Sequence, residues 1–252
     1  MRVDVLGVGV SAVNPDSAVA SIARWIESGE RSYVCVTGVH GVMESQRDPA
    51  LRRIHNASGL TVPDGMPMVW AGHRAGAPWM RQVRGADLML SVLSQAAERG
   101  WSSYLYGGAE GVPELLEQDL VRRYPGLKIV GSHSPPFRPL TVEEDEDVVR
   151  RINDSGADLV WVGLSTPKQE RWMAEHRARL DAAVLLGVGA AFDFHAGLMP
   201  QAPEWMRERG LEWSYRLFKE PRRLWRRYLR NNPPYVARTA LRPPRLIPGG
   251  MP

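Results

Sequence analysis

The stretch TVPDGMPMVW, residues 61–70, places one carboxylate, Asp64, between a proline and Gly65, directly after a short apolar run. Two interpretations fit this pattern. Asp64 forms an Asx-type turn with the glycine, or it is a general base at the mouth of a cleft, where apolar neighbours raise its pKa. Because ligands bind beyond the carboxyl ends of strands in an open parallel sheet, other stretches that follow apolar runs are further candidates.

A second candidate is YLYGGAEGVPELL, in which an apolar run leads into Gly107 and Gly108, and Pro113 begins a helix. Glycines at such a place let the backbone approach a phosphate or a base, and a helix N-terminus favours anions. The stretch matches neither GxGxxG nor GxxxxGK[ST]. A simple strand-to-helix turn is therefore an equal alternative.

A third candidate is WVGLSTPKQERWM, with a helix predicted to begin at Pro167. Its first turn then holds Lys168, which could face a phosphate, and Gln169, which could bind a base or a sugar. Glu170 follows in the same turn. The alternative is a solvated start of a helix, which these residue types also fit.

The run LLGVGAAFDFHAG brings Gly189 and Asp193 after another apolar run, and an unpaired buried aspartate is costly. His40 follows a predicted strand and could face the same cleft, although a structural histidine is the safer interpretation. The six histidines form no HExxH motif, and the lone Cys35 excludes a thiolate cluster and an intramolecular disulfide. The sequence therefore predicts no metal site, and there is no GxSxG nucleophile motif.

Seven short apolar runs, bounded by Gly, Pro or Asp, are predicted strands: residues 2–8, 32–37, 60–62, 103–106, 128–131, 159–162 and 183–188. Such runs are typical of buried parallel strands. Amphipathic segments between them are predicted helices, at residues 17–28 with Asp16 as cap, 113–123 and 141–155. The alternation predicts an α/β fold, with a doubly wound, mostly parallel sheet flanked by helices, over residues 1–200.

Residues 201–252 form a predicted basic, aromatic C-terminal appendage. Residues 216–252 hold nine Arg and one Lys against one Glu, so this part carries +9 and the preceding 215 residues carry −5 of the total +4. Helices are predicted at residues 204–212 and 222–229, and the last twenty residues are predicted to be poorly ordered in isolation. The charge indicates an anionic partner: a nucleic acid, an anionic membrane surface or the phosphates of a substrate.

The composition is ordinary for a globular protein, with 44% hydrophobic and 24% charged residues. No apolar run reaches the roughly 18 residues of a membrane span. We interpret the N-terminal residues as a strand rather than a signal peptide. A single cysteine fits a reducing, cytoplasmic compartment.

Taken together, these segments resemble the WecG/TagA/CpsF family, glycosyltransferase family 26. The stretches that carry the resemblance occur in the family's order over about residues 33–228: VPDGMPMVWA, RGADLM, YLYGGAEGV with RRYPGLKIVG, VGLSTPKQERW, GVGAAFDFHAG and APEWMRERGLEWSYRLFKEPRRLWRRY. Each stretch is modest by itself, whereas six in order are specific.

The resemblance implies a Rossmann-like core with a C-terminal appendage that helps to reach the membrane and complete the active site. It implies inverting transfer of a sugar from a UDP-sugar, often UDP-N-acetylmannosamine, to a polyprenyl-diphosphate-linked sugar at the cytoplasmic face of the membrane. Asp64 is then the base, and basic groups instead of a metal or another cofactor stabilise the departing UDP. The site residues expected beside it are Thr37, His40, Gly65, Arg84, Asp87, Gly107, Gly108, Lys168, Gln169, Glu170, Gly189, Asp193, Arg216, Arg222 and Arg223.

One departure from the family concerns the end of the second predicted strand. Members commonly carry a TPNxxH-like segment there, whereas this chain reads VTGVHG, with Gly38 or Val39 in place of the asparagine. The donor sugar is therefore open, as are the acceptor, the linkage and the oligomeric state, for which a homo-oligomer is one option.

The sequence favours a peripheral, membrane-associated glycosyltransferase of cell-surface polysaccharide or glycolipid synthesis. The alternative is a nucleic-acid-binding protein with a basic arm, against which the acidic body argues, so no nucleic-acid partner is expected. A nicotinamide-dependent oxidoreductase lacks its GxGxxG motif.

Overall fold

The computed structural model describes residues 1–203, 205–206 and 209–248, apart from the side chain of Arg223. The strands are β1 (Arg2–Val5), β2 (Val8–Ser11), β3 (Ser32–Thr37), β4 (Leu60–Pro63), β5 (Ser102–Gly107), β6 (Lys128–His133), β7 (Leu159–Gly163), β8 (Val184–Gly187) and β9 (Arg245–Ile247). Among these described residues, no helix has both the length and the hydrophobicity needed to cross a membrane.

The helices that pack around the sheets have the following bounds: α1 (Pro15–Ser28), α2 (Val39–Arg47), α3 (Pro49–Ala57), α4 (Met66–Arg74), α5 (Gly85–Arg99), α6 (Val112–Arg123), α7 (Val142–Asp154), α8 (Lys168–His176) and α9 (Ala191–His195). Asn14, and not the predicted Asp16, caps α1, because its side chain accepts from the backbone of Ser17 in a capping box. Thr141 and Glu144 form the same motif at the start of α7.

The body is a six-stranded sheet in the order β4-β3-β8-β7-β5-β6, and the pairs between these strands are parallel. The predicted α/β fold, with a mostly parallel sheet flanked by helices, is therefore confirmed. Successive side chains of a strand point to opposite faces. In β7, Trp161 belongs to a buried cluster with residues of α1, α5, α6 and α9, whereas Val160 belongs to a second cluster with residues of α7 and α8. The two buried faces hold the carboxyl ends of the strands in fixed positions.

The prediction of one strand over residues 2–8 in the parallel sheet is wrong. The chain turns back at Leu6 and Gly7, which have φ values of 55° and 87°, and β1 and β2 pair antiparallel. Two central residues with positive φ are typical of the tight hairpin turns that match strand twist. β9 pairs with the other side of β1, which completes a separate three-stranded sheet.

The C-terminal part continues with α10 (Glu212–Lys219) and α11 (Pro221–Leu241). The helix predicted at 204–212 lies partly outside the described residues, and the one predicted at 222–229 is longer than expected. The last twenty residues were expected to be poorly ordered, but residues 233–241 belong to α11 and residues 245–247 to β9. Burial of Tyr235 in the core beside the hairpin explains this difference. The domain boundary near residue 200 stays a prediction.

Candidate active site

A cleft of about 570 Å³ opens between the carboxyl ends of β3 and β4 and the C-terminal helices α10 and α11. The loops that follow β3, β4 and β7 contribute to one wall, and the two helices contribute to the other. The polar and aromatic residues that line it are His40, Asp64, Trp70, Arg74, Gln82, Thr166, Glu212, Trp213, Arg216, Arg227, Tyr228, Asn231, Asn232, Tyr235 and Thr239.

Asp64 is held in this cleft by its backbone. Its N–H donates to the carbonyl of Thr37 at 2.9 Å. The next residue, Gly65, has a φ of 95° and begins the approach to α4, a conformation that favours glycine. On the other side the backbone of Gly38 lies so close that a Cβ there would be 2.6 Å from the carbonyl oxygen of Asp64. These contacts fix where the carboxylate leaves the chain.

Asp64 is half-buried, and charged groups around it shift its pKa in both directions. Burial raises the pKa of Asp64 to about 6, and the negative charge of Glu212 acts in the same direction. The positive charges of Arg216, Arg84 and Arg227 act against this rise. A carboxylate with such a pKa is ionised at neutral pH and is a better proton acceptor than an ordinary aspartate.

His40 also lines the cleft, but its ring is engaged with the protein. Its Nδ1 lies 3.2 Å from Nδ2 of Asn231 on α11, and the backbone of Thr166 forms a further hydrogen bond with the ring. Burial and the charges of Arg227, Arg47 and Arg230 lower the pKa of His40 to about 4. The ring is therefore neutral at pH 7.

The wall formed by α10 and α11 brings positive charge to the cleft. Arg216 and Arg227 line it, with Glu212 as the acidic residue on the same wall. The guanidinium of Arg216 lies 5.6 Å from the centre of the Phe194 ring, a cation–π contact that links α10 to α9. The arrangement provides a proton acceptor on one wall and cations on the other.

Several predicted site residues lie at the same edge of the sheet but outside the cleft. Gly107, at the end of β5, packs against the backbone of Gly163, and Gly108 packs against Val112 and Phe192. Their small size therefore serves the contact between neighbouring elements. Lys168 is exposed at the start of α8 and does not line the cleft.

Gln169 and Glu170 are buried beneath the cleft. Nε2 of Gln169 donates to the carbonyl of Gly187 at 3.0 Å, and its amide lies against Gly189. Oε1 of Glu170 accepts from the hydroxyl of Thr166 at 2.8 Å, and burial raises the pKa of Glu170. Through Thr166, this pair supports one of the loops that line the cleft.

The remaining predicted residues divide between neighbours of the cleft and more distant positions. Arg84 pairs with Asp87 at 2.5 Å, and although neither residue lines the cleft, the charge of Arg84 reaches Asp64. Asp193 is half-buried in α9, and Arg222 is exposed on α11, both outside the cleft. The side chain of Arg223 lies outside the described part of the chain.

Sequence reasoning missed residues of α11 that face the cleft, above all Arg227 and Asn231. A signal for them exists, because Arg227, Asn231 and Tyr235 recur every four residues and so share one helix face. Glu212 and Trp213 at the start of α10 were missed as well. Neither has a local pattern that distinguishes it from a surface residue.

Comparison with known protein families gives a match over most of the chain. The Glycosyl transferase WecG/TagA/CpsF family matches residues 3–246. The chain belongs to this family. The match spans both sheets and both C-terminal helices, so the resemblance seen in the short motifs is confirmed, and the chain is a glycosyltransferase.

Two relatives within the WecG/TagA/CpsF family have named activities. An N-acetylglucosaminyldiphosphoundecaprenol N-acetyl-beta-D-mannosaminyltransferase from Staphylococcus aureus (strain MW2) is 29% identical over 227 residues, which cover 89% of this chain and 87% of that protein. The protein of the same name from Bacillus spizizenii (strain ATCC 23059 / NRRL B-14472 / W23) is 28% identical over 212 residues, with 84% and 80% covered.

Proposed function

We propose that this glycosyltransferase moves a sugar, with inversion, from a UDP-sugar to a polyprenyl-diphosphate-linked sugar in the synthesis of a cell-wall or other cell-surface polymer. The observation that carries the proposal is the Asp64 carboxylate, with a pKa raised to about 6, in one cleft with Arg216 and Arg227. The names of the two relatives support a lipid-diphosphate acceptor.

In the proposed step, Asp64 takes the proton of an acceptor hydroxyl while that oxygen attacks the anomeric carbon of the donor. The bond between the anomeric carbon and the UDP oxygen breaks, and UDP leaves with the electron pair. Arg216 and Arg227 are suited to stabilise the charge that develops on the diphosphate. Metal independence and the absence of another cofactor belong to the same proposal.

The donor sugar is the part of the proposal that the residues of the cleft restrict least. The relatives transfer N-acetylmannosamine, by their names. In this chain the backbone at Gly38 leaves no room for a side chain, so an amide cannot reach the sugar from that position as the loop stands. We therefore propose a UDP-hexose or UDP-N-acetylhexosamine donor.

The test is transfer by the purified full chain. UDP-sugars, with UDP-N-acetylmannosamine among them, are offered with a short-chain polyprenyl-diphosphate N-acetylglucosamine acceptor, with and without EDTA. We expect one donor to give a product of inverted anomeric configuration by NMR, at the same rate in EDTA. Absence of transfer from every UDP-sugar contradicts the proposed reaction, and loss of rate in EDTA contradicts the metal-independent step.

We further propose that the C-terminal helices place the protein on the cytoplasmic face of the membrane as a peripheral protein. They expose large apolar side chains beside basic ones: Trp213, Phe218, Trp225, Leu229, Val236 and Leu241. Aromatic and basic residues together suit an anionic lipid surface. The competing proposal is a nucleic acid on the same basic helices.

Phe218 offers a test with a matched control. It is 82% exposed on α10, and Phe137 is 89% exposed on the body. Phe218→Ser is expected to reduce flotation with anionic liposomes, and Phe137→Ser to leave flotation unchanged. Equal flotation of both variants contradicts the membrane role of α10, and tight binding of random-sequence RNA instead supports the nucleic-acid alternative.

A further inference from the structure

α11 contains two consecutive prolines, Pro233 and Pro234, in its interior. A proline has no N–H, so the carbonyls four residues earlier, of Leu229 and Arg230, lose their partners within the helix. Arg47 of α2 donates from Nη2 to the carbonyl of Arg230 at 3.2 Å. α2 thus contacts α11 at the point where the two prolines interrupt its hydrogen bonds.

Asn231 is the next residue, only 2% exposed, and both ends of its amide are occupied. Its Oδ1 lies 2.9 Å from Nη1 of Arg47, and its Nδ2 lies 3.2 Å from Nδ1 of His40. A guanidinium can only donate, so the amide oxygen must face Arg47 and the amide nitrogen must face His40. Nδ1 of His40 is then an acceptor, and the proton of the ring is on Nε2.

The charges around His40 agree with this assignment. Arg227 and Arg230 of α11 and Arg47 of α2 disfavour a positive ring, together with burial. Glu44 of α2 is the acidic neighbour, with Oε1 at 3.9 Å from Nδ1, and it also pairs with Arg47 at 2.7 Å. A neutral ring can accept from Asn231, whereas a protonated ring would turn a second N–H toward the amide N–H.

The network connects the two walls of the cleft. His40 lies in the first turn of α2, two residues after Gly38, whose backbone touches that of Asp64. Arg227 lies one helical turn before Asn231 and lines the cleft. A shift of α11 along α2 would therefore move Arg227 relative to the carboxylate.

We propose that Asn231 is a positioning residue that, with Arg47 and His40 of α2 as its partners, holds α11 in register with α2, so that Arg227 faces Asp64. His40 acts in this network as a hydrogen-bond acceptor and not as a base. The effect on turnover depends on the proposed transferase reaction, whereas the hydrogen-bond network can be measured without it.

A double-mutant cycle tests the coupling. Asn231→Ala and His40→Ala are each expected to lower kcat/KM by about tenfold, the size expected for loss of one buried hydrogen bond of this kind. The double variant is expected to lose little more than Asn231→Ala alone, because that substitution already removes the contact with His40 together with the one with Arg47. Independent losses, about a hundredfold in the double variant, contradict the proposal. Arg238→Ala, exposed on the same helix, is the control and is expected to keep full activity.

NMR of the histidine ring nitrogens tests the network directly and needs no turnover, so its result stands even if the transferase proposal fails. In the unaltered chain we expect His40 as the Nε2–H tautomer. Asn231→Asp presents a carboxylate oxygen to Nδ1 and is expected to raise the pKa of His40 by at least about one unit, while His133 on β6 titrates as before. An Nδ1–H tautomer, or an unchanged His40 titration in Asn231→Asp, overturns the assignment.

Discussion

The wall of the cleft that carries Asp64 consists of strand ends, whereas the opposite wall consists of two helices that few buried residues support. Residues of β3, β4 and β8 such as Val34, Val62 and Leu186 are completely buried. By contrast, α10 buries none of its residues. In the described part of α11, the buried side chains are Leu224, Asn231 and Tyr235.

This difference separates two tasks. A proton acceptor must be held within fractions of an ångström of its target, and the close-packed sheet provides such a position for Asp64, the proposed base. Charge stabilisation by arginine tolerates more movement, because a guanidinium offers five donors on a long side chain. The loosely supported wall can therefore carry Arg216 and Arg227, provided that its register is set at a few points.

The largest effect is expected at Asp64, on the wall formed by the strand ends, called the rigid wall below. Asp64→Asn keeps the shape but removes the proton acceptor, so kcat is expected to fall by a factor of about 10² to 10⁴. UDP affinity, measured by calorimetry, is expected to stay nearly the same. Asp16→Asn, on the exposed first turn of α1, is the control. Full turnover by Asp64→Asn would show that this wall does not supply the base.

A smaller loss is expected on the helical wall. Arg216→Ala removes one cation from the cleft and is expected to lower kcat/KM by about tenfold to a hundredfold, the range for one charged hydrogen bond. Arg222→Ala, an exposed arginine of α11 outside the cleft, is the matched control. Steady-state kinetics of both variants measures the two losses in kcat/KM. Equal losses would mean that the position of Arg216 in the cleft does not account for its effect.

Gly38 tests how rigid the first wall is. In Gly38→Ala the new Cβ meets the carbonyl oxygen of Asp64, so the loop must move. We expect kcat/KM to fall about tenfold, and overpacking of this kind to cost about 1–3 kcal/mol of unfolding free energy. Thermal denaturation and kinetics measure the two quantities. No change in either would show that the Asp64 loop adapts freely.

The two walls also interact through charge, which the pH dependence reports. As the proposed base, Asp64 must be ionised to accept a proton, so kcat/KM is expected to fall below pH 6, by tenfold per unit once Asp64 is largely protonated. Glu212 raises this pKa from the opposite wall. Glu212→Gln is therefore expected to move the acid limb to lower pH. A limb that stays in place or moves upward contradicts the electrostatic link.

The smallest effect is expected at the end of α11, at an exposed residue that does not itself line the cleft. Arg242 pairs with Asp4 of β1 at 3.1 Å, and its side chain is 64% exposed. Exposed pairs of this kind contribute about 1 kcal/mol or less. Arg242→Ala is expected to change the urea midpoint only slightly and to leave kcat unchanged. A loss comparable to that of Arg216→Ala would place this contact in the support of the cleft.

The rigid wall was largely predictable from the sequence, since its information is local. Apolar runs with bounding glycines and prolines predicted every strand of the six-stranded sheet, and the rule about strand ends selected Asp64. The error at residues 2–8 arose because an apolar run hides a two-residue turn unless Gly7 is weighted as a turn residue. β9 was missed because its partner in β1 is more than 240 residues away in the chain.

The helical wall was less predictable. The rule about strand ends also selected Gly107 and Asp193, which follow other strands of the same edge. It could not show that α11 covers the ends of β3 and β4, since this depends on Asn231 and Tyr235 meeting distant partners. Basic composition identified Arg216, but among nine arginines it gave no reason to prefer Arg227 to Arg222.

The pairing of β9 with β1 has a consequence for the order of assembly. During synthesis the hairpin of β1 and β2 is made first, but its third strand is made only after the strands of the parallel sheet. Contacts between such distant residues form late because the intervening loop must close. The parallel sheet can thus fold while one side of the hairpin still lacks its partner. The C-terminal end of α11 can therefore be tied to β1 through β9 only after residues 245–247 have been made.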